Sequence, residues 1–339
     1  MKTFFSILIC VGVAFTMNAQ NLIRVNANPT ADADYTVLQT AIDNANAGDT
    51  IYVETEGGSV GSASVDKQLT FIGKGYYLNE QDSTYQSVST HAIQVNFNAT
   101  LPANPHGSKF IGLEITGMTD IRANNITFEK CKIDYIQLNY GGSNYYNSGL
   151  SVIQCSVASM TSSTLNLPVN NLFISNSILD DVDYIKCTSN CLFVNNQIGN
   201  NSGPNSSIIA VVESMIFENN IFLDAVPSNS SNPASNNQFH NNVFVNLPTN
   251  FTTNGIGNIA ATSASLFVGG TGSDAQYQLS TTSPAKGAGL NGVDCGPFGG
   301  ATPYVLSGLP DLPRVFKIIT GFGPNVNQMN VNVKATTNN

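Results

Sequence analysis

The sequence predicts an all-β chain wound into a solenoid of about 22 residues per coil. Two observations predict it. A six-residue unit, apolar-x-x-[Asn/Cys]-x-apolar, recurs six times at nearly even spacing, and short apolar runs alternate with polar, turn-forming stretches throughout. Leucine-rich repeats have a similar period, but their leucine spacing and helical half are missing here.

Residues 1–19 read as a secretion signal. Lys2 is a short positive start, Phe4 to Phe15 is mostly apolar, and Ala19 is a small residue at the expected cleavage point. Residues 20–34 form a lead segment. In "YTVLQTAIDNANAGDTIYV" (35–53), Leu38, Ala41, Ile42 and Ala45 share one face at helical spacing. That predicts a short helix capping the coil stack, a turn at Gly48-Asp49, and a first strand at "TIYV".

The repeat follows. Its copies are "FEKCKI" (128–133), "VIQCSV" (152–157), "FISNSI" (173–178), "FVNNQI" (193–198), "FENNIF" (217–222) and "FHNNVF" (239–244). The first positions predict an inward aromatic column at Phe128, Val152, Phe173, Phe193, Phe217 and Phe239, and the sixth positions an aliphatic column opposite. The fourth positions are Cys131, Cys155, Asn176, Asn196, Asn220 and Asn242. Asparagine tolerates left-handed backbone angles and carries both donors and acceptors, so it suits a bend and can bond the coils on either side. Of the two asparagines in "FENNIF", this alignment demands only Asn220. Asn196→Ala should therefore destabilise the protein, and Ser202→Ala in a loop should not.

The solenoid is expected over 35–280, with loop excursions at 139–149, 199–207 and 226–238. Residues 281–339 are expected to cap the last coil, because an open coil exposes strand edges. The stretch 325–339 reads as one more strand and a loose end.

The opening 35–53, the following "LTFIGKGYYL" (69–78) and the tail 283–318 together resemble the right-handed parallel β-helix proteins of the pectate-lyase-like superfamily. The tail resembles the C-terminal segment of bacterial secreted β-helix proteins that mostly lack an assigned function. The resemblance spans about 35–318 and implies architecture more than chemistry. It also implies that a substrate groove, where there is one, runs along an outward face of the stack. The superfamily's catalytic patterns are mostly missing. There is no Gly-His-Gly and no Arg-x-Lys as in polygalacturonases, although Asp180-Asp181 is present. "QDSTY" (81–85) is only superficially similar to a pectin methylesterase motif, and Arg122 stands alone where pectate lyases are arginine-rich.

Charged residues make up 10% of the chain and the net charge is −9. Nucleic-acid binders carry basic clusters, and none is present. Neutral glycans, or partners bridged by a metal, suit this surface better. Beyond the signal, no run approaches membrane-spanning length. Five cysteines remain after it. Cys131 and Cys155 either pair as a disulfide or stack as thiols, while Cys187 and Cys191 lack the spacing and histidines of a zinc site and read as small buried hydrophobes.

Candidate site residues come from the stretch after the ladder. Four residues on lie Tyr135, Ser159, Asp180, Asn200, Asp224 and Asn246. The runs "YIQLN" (135–139), "TLNLP" (164–168) and "DYIKC" (183–187) are expected to align as one strand column. Tyr135, Gln137, Tyr184 and Lys186 would face outward on it, with Thr164 and Asn166 between. With loop residues Tyr145 and Tyr146, whose rings could stack on sugars or pack on the coil, Tyr135, Gln137 and Tyr184 form the expected ligand-binding set. As an enzyme, the chain would use Asp180, Asp183, Lys186 and Asp224. A lyase would hold Ca2+ on Asp180, Asp181 and Asp183 while Lys186 removes a proton. A hydrolase would place Asp180 and Asp224 two coils apart, about 9–10 Å by coil rise. No cofactor is required by these readings, and Ca2+ is the metal the acidic cluster would take. The bland alternative is that these aspartates cap turns. His91, His106 and His240 are scattered. The two function classes are a noncatalytic glycan-binding or surface-interaction protein and a divergent polysaccharide lyase or hydrolase.

Overall fold

The computed structural model describes residues 20–54, 58–78, 93–95, 104–138, 148–162, 168–200, 212–224, 237–245, 255–270, 272–322 and 329–336. The chain is a parallel β-solenoid with about 22 residues per turn. A first sheet of ten strands runs in the order Leu22–Asn26, Thr50–Glu54, Thr70–Ile72, Lys109–Ile111, Thr127–Glu129, Ser151–Ile153, Phe173–Ser175, Leu192–Val194, Ile216–Glu218 and Gln238–His240. A second sheet faces it, built from Ala63–Val65 through the long strands Glu114–Ile121, Lys132–Leu138 and Ser156–Ser162 to Ile259–Ala260. A third sheet has three strands, Val169–Asn170, Ile185–Ser189 and Val212–Glu213. Among the described residues, no helix is long and apolar enough to cross a membrane.

The predicted helix is present at Leu38–Asn44, and Leu38, Ala41, Ile42 and Ala45 are buried against the first rungs. The turn after it is held by Asp49, whose carboxylate accepts from the backbone N–H groups of Asn21 and Asn46.

The aromatic column is real, but its register corrects the sequence alignment at one rung. Val152 pairs with Ile174, and Ile174 with Phe193, so Ile174 and not Phe173 points inward. The column begins earlier than the repeats suggested, at Phe71 and Phe110. Phe71–Phe110 and Phe110–Phe128 stack at 4.8 and 4.9 Å, and Phe193–Phe217 and Phe217–Phe239 both lie at 4.9 Å. These distances match the spacing of hydrogen-bonded strands, so rings on successive rungs stack, with Phe193 and Phe217 tilted by 36° to each other. The sixth-position column is Ile133, Val157, Leu179, Ile198, Phe222 and Phe244.

The same one-residue shift moves the ladder from Asn176 to Ser177. Cys131 N donates to Cys155 Sγ, Cys155 N to Ser177 Oγ, Ser177 N to Asn196 Oδ1, Asn196 N to Asn220 Oδ1, Asn220 N to Asn242 Oδ1, and Asn242 N to Asn258 Oδ1. The amide N–H groups of Asn196, Asn220 and Asn242 also reach the next ladder oxygen, at 3.0, 3.0 and 3.1 Å. Cys131 and Cys155 are free and buried, so the thiol-stacking alternative holds.

The bend falls at the predicted residue at Asn176 and one residue earlier than predicted on the other rungs. Lys130, Gln154, Asn176, Asn195, Asn219 and Asn241 all have φ between 48° and 57°. Each "Asn-Asn" therefore divides its labour: the first asparagine takes the left-handed corner, and the second makes the ladder. Both are structurally demanded, which overturns the expectation that Asn219 is dispensable.

The C-terminal tail does not simply close the last coil. From about Leu290 to Asp311 it runs back along the outside of the corner column and binds it rung by rung. Leu290 N donates to Asn219 Oδ1, Asn195 Nδ2 to Asp294 O, and Asn176 Nδ2 to Pro297 O and Gly299 O. Gln154 Nε2 donates to Thr302 O and Pro303 O, and Lys130 Nζ pairs with Asp311 at 2.6 Å. At the far end the hydroxyls of Tyr76 and Tyr304, both buried, meet in a hydrogen bond. Ser307 N donates to the buried Asp274 carboxylate at 2.6 Å. Beyond this strap, Arg314–Phe322 and Met329–Thr336 form an antiparallel hairpin, and its second strand is the one expected within 325–339.

Candidate functional site

The long strands of the second sheet bend partway along. Between Ile115 and Met118 the pairing slips by one residue, at Gly117, whose N–H donates to Asp134 Oδ2. After the slip, Thr119, Ile136, Met160 and Val182 form one inward column in register, and Ile121, Leu138 and Ser162 another. The outward row between them is Asp120, Gln137, Thr161 and Asp183, on four successive rungs. Tyr135 and Ser159 lie in the adjacent outward row.

This row corrects the expected strand column. Tyr135–Leu138 aligns with Ser159–Ser162, not with Thr164–Pro168. Ile185–Ser189 belongs to the third sheet. Tyr184 and Lys186 therefore sit beyond the corner from Tyr135 and Gln137, with Asp183 at the joint. Thr164, Asn166, Tyr145, Tyr146, Asn246 and His91 lie outside the described residues.

Tyr135 donates its hydroxyl to Gln137 Oε1 at 3.1 Å, and Gln137 is buried behind it. Asp120 is fully buried and pairs with Arg122 at 2.6 Å, and its Oδ1 has no hydrogen-bond donor among the described residues. Burial pushes the Asp120 carboxyl up, and Arg122 opposes this. Asp120 and Thr161 are additions the sequence did not single out, and Arg122, noted there only as an isolated arginine, is Asp120's partner. Their signal was present in the pairing of Asp120 with Gln137, but the slip at Gly117 hides it from any fixed-period alignment.

Asp180, Asp181 and Asp224 lie near enough to interact electrostatically, whereas Lys186 is held in an ion pair of the third sheet. Lys186 pairs with Glu213 at 2.9 Å, on adjacent rungs of the third sheet. Asp183 Oδ1 accepts from Tyr184 N, and Tyr184 has φ 53°. Asp181 accepts from Ser159 Oγ at 3.2 Å. It is Asp181, and not Asp180, that continues the row of Tyr135 and Ser159. Asp224 is fully buried and accepts from Asn200 N at 2.9 Å. Of the histidines, His106 Nδ1 accepts from Asn124 N, and His240 lies in a strand beside Gln238, not in a turn. No group of three or more His, Cys, Asp or Glu residues is placed to hold a metal ion among the described residues.

Asp180 is the electrostatic exception. Burial pushes its carboxyl up to about 6, and the charges of Asp181 and Asp224 add to the shift. Tyr277, from the segment covering this face, is pushed up to about 12 by burial and by the nearby Asp180. The unfolded chain ionises this aspartate near 3.8, so the fold holds the proton more tightly than the unfolded chain does. Stability should fall as pH rises from about 4 to about 6 and then stay level. Asp180→Asn removes the ionisation. It is expected to stabilise the protein by about 2–3 kcal/mol at pH 7.5 and hardly at all at pH 4. Urea denaturation at both pH values checks this, and equal effects at both would exclude it.

Cys187 and Cys191 form a disulfide, which corrects the reading of them as simple buried hydrophobes. The bond ties the end of strand Ile185–Ser189 to the start of Leu192–Val194 across the corner at Asn190.

The fold and this outward row define a parallel β-solenoid with a polar face. No protein-family model and no curated protein matches the chain.

Proposed function

We propose that the protein is a secreted or cell-surface β-solenoid of the pectate-lyase-like kind that binds carbohydrate without turning it over. The observation that carries the reading is the partly exposed polar row of Tyr135, Ser159, Thr161 and Asp183 on successive rungs, with the buried Gln137 behind Tyr135. Rungs repeat at about 4.8 Å, so the row offers donors and acceptors at a regular spacing along an extended, hydroxyl-rich chain. Tyr135 supplies an amphipathic ring whose hydroxyl Gln137 already orients. The engagement of Lys186, Asp181, Asp183 and Asp224 in ion pairs and turn contacts supports a noncatalytic role. The Cys187–Cys191 disulfide and the apolar leader support an oxidising, extracytoplasmic location.

A glycan array followed by calorimetry tests the reading. Tyr135→Ala is expected to weaken binding of the best glycan by about tenfold, the loss of one ring contact with its hydrogen bond. Thr161→Ala should weaken it by a smaller factor. Array-wide absence of binding would exclude the reading.

The raised Asp180 carboxyl favours a second reading, a divergent hydrolase or lyase in which Asp180 donates a proton near Asp224. Incubation with a polysaccharide panel, with and without Ca2+, separates the two. Reducing or unsaturated ends that vanish in Asp180→Ala would establish the second at the expense of the first.

A further inference from the structure

We propose that the carboxylates of Asp180 and Asp224 and the amide oxygen of Gln197 bind a Ca2+ ion beneath the segment that carries Tyr277. Strand register brings the three together on adjacent rungs. Gln197 pairs with Ile178 on one side and Ile221 on the other. Two residues on, Gly199 N donates to Leu179 O and Leu223 N to Ile198 O, so Gly199 stands between Asp180 and Leu223. Asp224 reaches back from its own rung, its Oδ2 accepting from Asn200 N at 2.9 Å. Its charge acts on Asp180 across the rung between them. Gln197 Nε2 donates to Gly199 O, which lays the amide along the same stretch. Two acids from the outer rungs and an amide from the middle one thus meet beside Gly199-Asn200.

Gln197 is what distinguishes this place from a mere pair of acids. It is fully buried, and its Oε1 has no hydrogen-bond donor among the described residues. Turning the amide over would not help, because Oε1 would then face the Gly199 carbonyl. A buried carbonyl oxygen without a donor calls for positive charge. The surrounding chain supplies little. No lysine or arginine occurs between Lys186 and Lys286. Lys186 is held by Glu213, and Lys132, on the same sheet, by Glu114. Tyr277 packs beside Ile178 and feels the charges of both Asp180 and Asp224, so the covering segment lies over the same spot.

The donors select the ion. All three are oxygens and two are carboxylates, which suits a hard cation and not the metals that favour nitrogen or sulfur. Side chains fixed on stacked rungs do not supply the near-ideal octahedron that Mg2+ demands. Ca2+ accepts an irregular shell at about 2.3–2.6 Å and completes it with water. Bound there, the ion braces three rungs under their cover. The inference rests on neither reading of function.

Thermal unfolding of EDTA-stripped protein at pH 7.5 tests it. Ca2+ at about 5 mM is expected to raise the midpoint by at least about 2 °C, and Mg2+ at the same concentration by less than half as much. Gln197→Met keeps the side-chain volume and removes the oxygen. It is expected to weaken Ca2+ binding, read by calorimetry, by at least about tenfold. Asp180→Asn should lose the Ca2+ response while its ion-free midpoint stays at or above the parent's, which separates lost binding from failure to fold. A parent midpoint unmoved by Ca2+ would overturn the proposal. So would an undiminished response in Asp180→Asn or Gln197→Met, which would place the ion elsewhere on the acidic surface. Equal shifts from Ca2+ and Mg2+ would mark general screening and overturn it as well.

Discussion

Asn196→Ala is expected to lower the unfolding free energy by about 2–5 kcal/mol, because it leaves two buried backbone groups unpaired. Asn196 Oδ1 accepts from Ser177 N at 2.9 Å, and Asn196 Nδ2 donates to Ile174 O at 3.0 Å. The residue is fully buried, so water cannot replace either bond. Asn220 Oδ1 keeps its backbone donor from Asn196 N, so damage should stop at that rung on one side. Thr281→Ala, at an exposed turn, should change stability by less than about 0.5 kcal/mol. Chemical denaturation of the two variants checks this. Matching midpoints for Asn196→Ala and the parent would show that the ladder contributes nothing.

Gly308→Ala should be as damaging, through the strap. Gly308 has φ 55°, and a Cβ there would collide with the Lys130 carbonyl and the buried Tyr76 ring. Relief requires lifting the segment that gives Tyr76 N its acceptor, Ser307 O, and Asp274 its donor, Ser307 N. The expected loss is on the order of 3 kcal/mol or more. Gly292→Ala makes the comparison clean. Its φ is 78°, but nothing lies within 4 Å of the new atom, so only backbone strain of about 1–2 kcal/mol applies. Limited proteolysis should cut the strap early in Gly308→Ala and not in Gly292→Ala. Similar digestion of both would leave strap contact without a part in stability.

The solenoid was legible because stacking demands similarity between neighbours. Phe193, Phe217 and Phe239 advertise a shared inward slot, and Asn196, Asn220 and Asn242 a shared ladder slot. The rung at 173–179 was misread by one residue because Phe173 mimics the inward aromatic and Asn176 mimics the ladder amide. Only strand pairing shows that Ile174 and Ser177 fill those places. A one-residue slip exchanges inward for outward side chains. The same sensitivity explains the site. Tyr135 and Gln137 do alternate with inward residues, but Gln137 is buried, and a register slip at Gly117 concealed Asp120. The corner after Asp183 separated Tyr184 and Lys186 from them. The strap was not legible at all, since most of its bonds join backbone groups of the tail to side chains far away in sequence.

Solenoids made only of neighbour contacts open coil by coil, and their ends fray independently. Here Tyr76 and Tyr304 are 228 positions apart, and Lys130 and Asp311 are 181 apart. The strap can therefore seat only after the rungs it spans exist, which makes it the closing event of folding and places it among the slow, non-local steps. Once seated, it turns a row of separable coils into a unit that must be unlatched before any middle rung can melt.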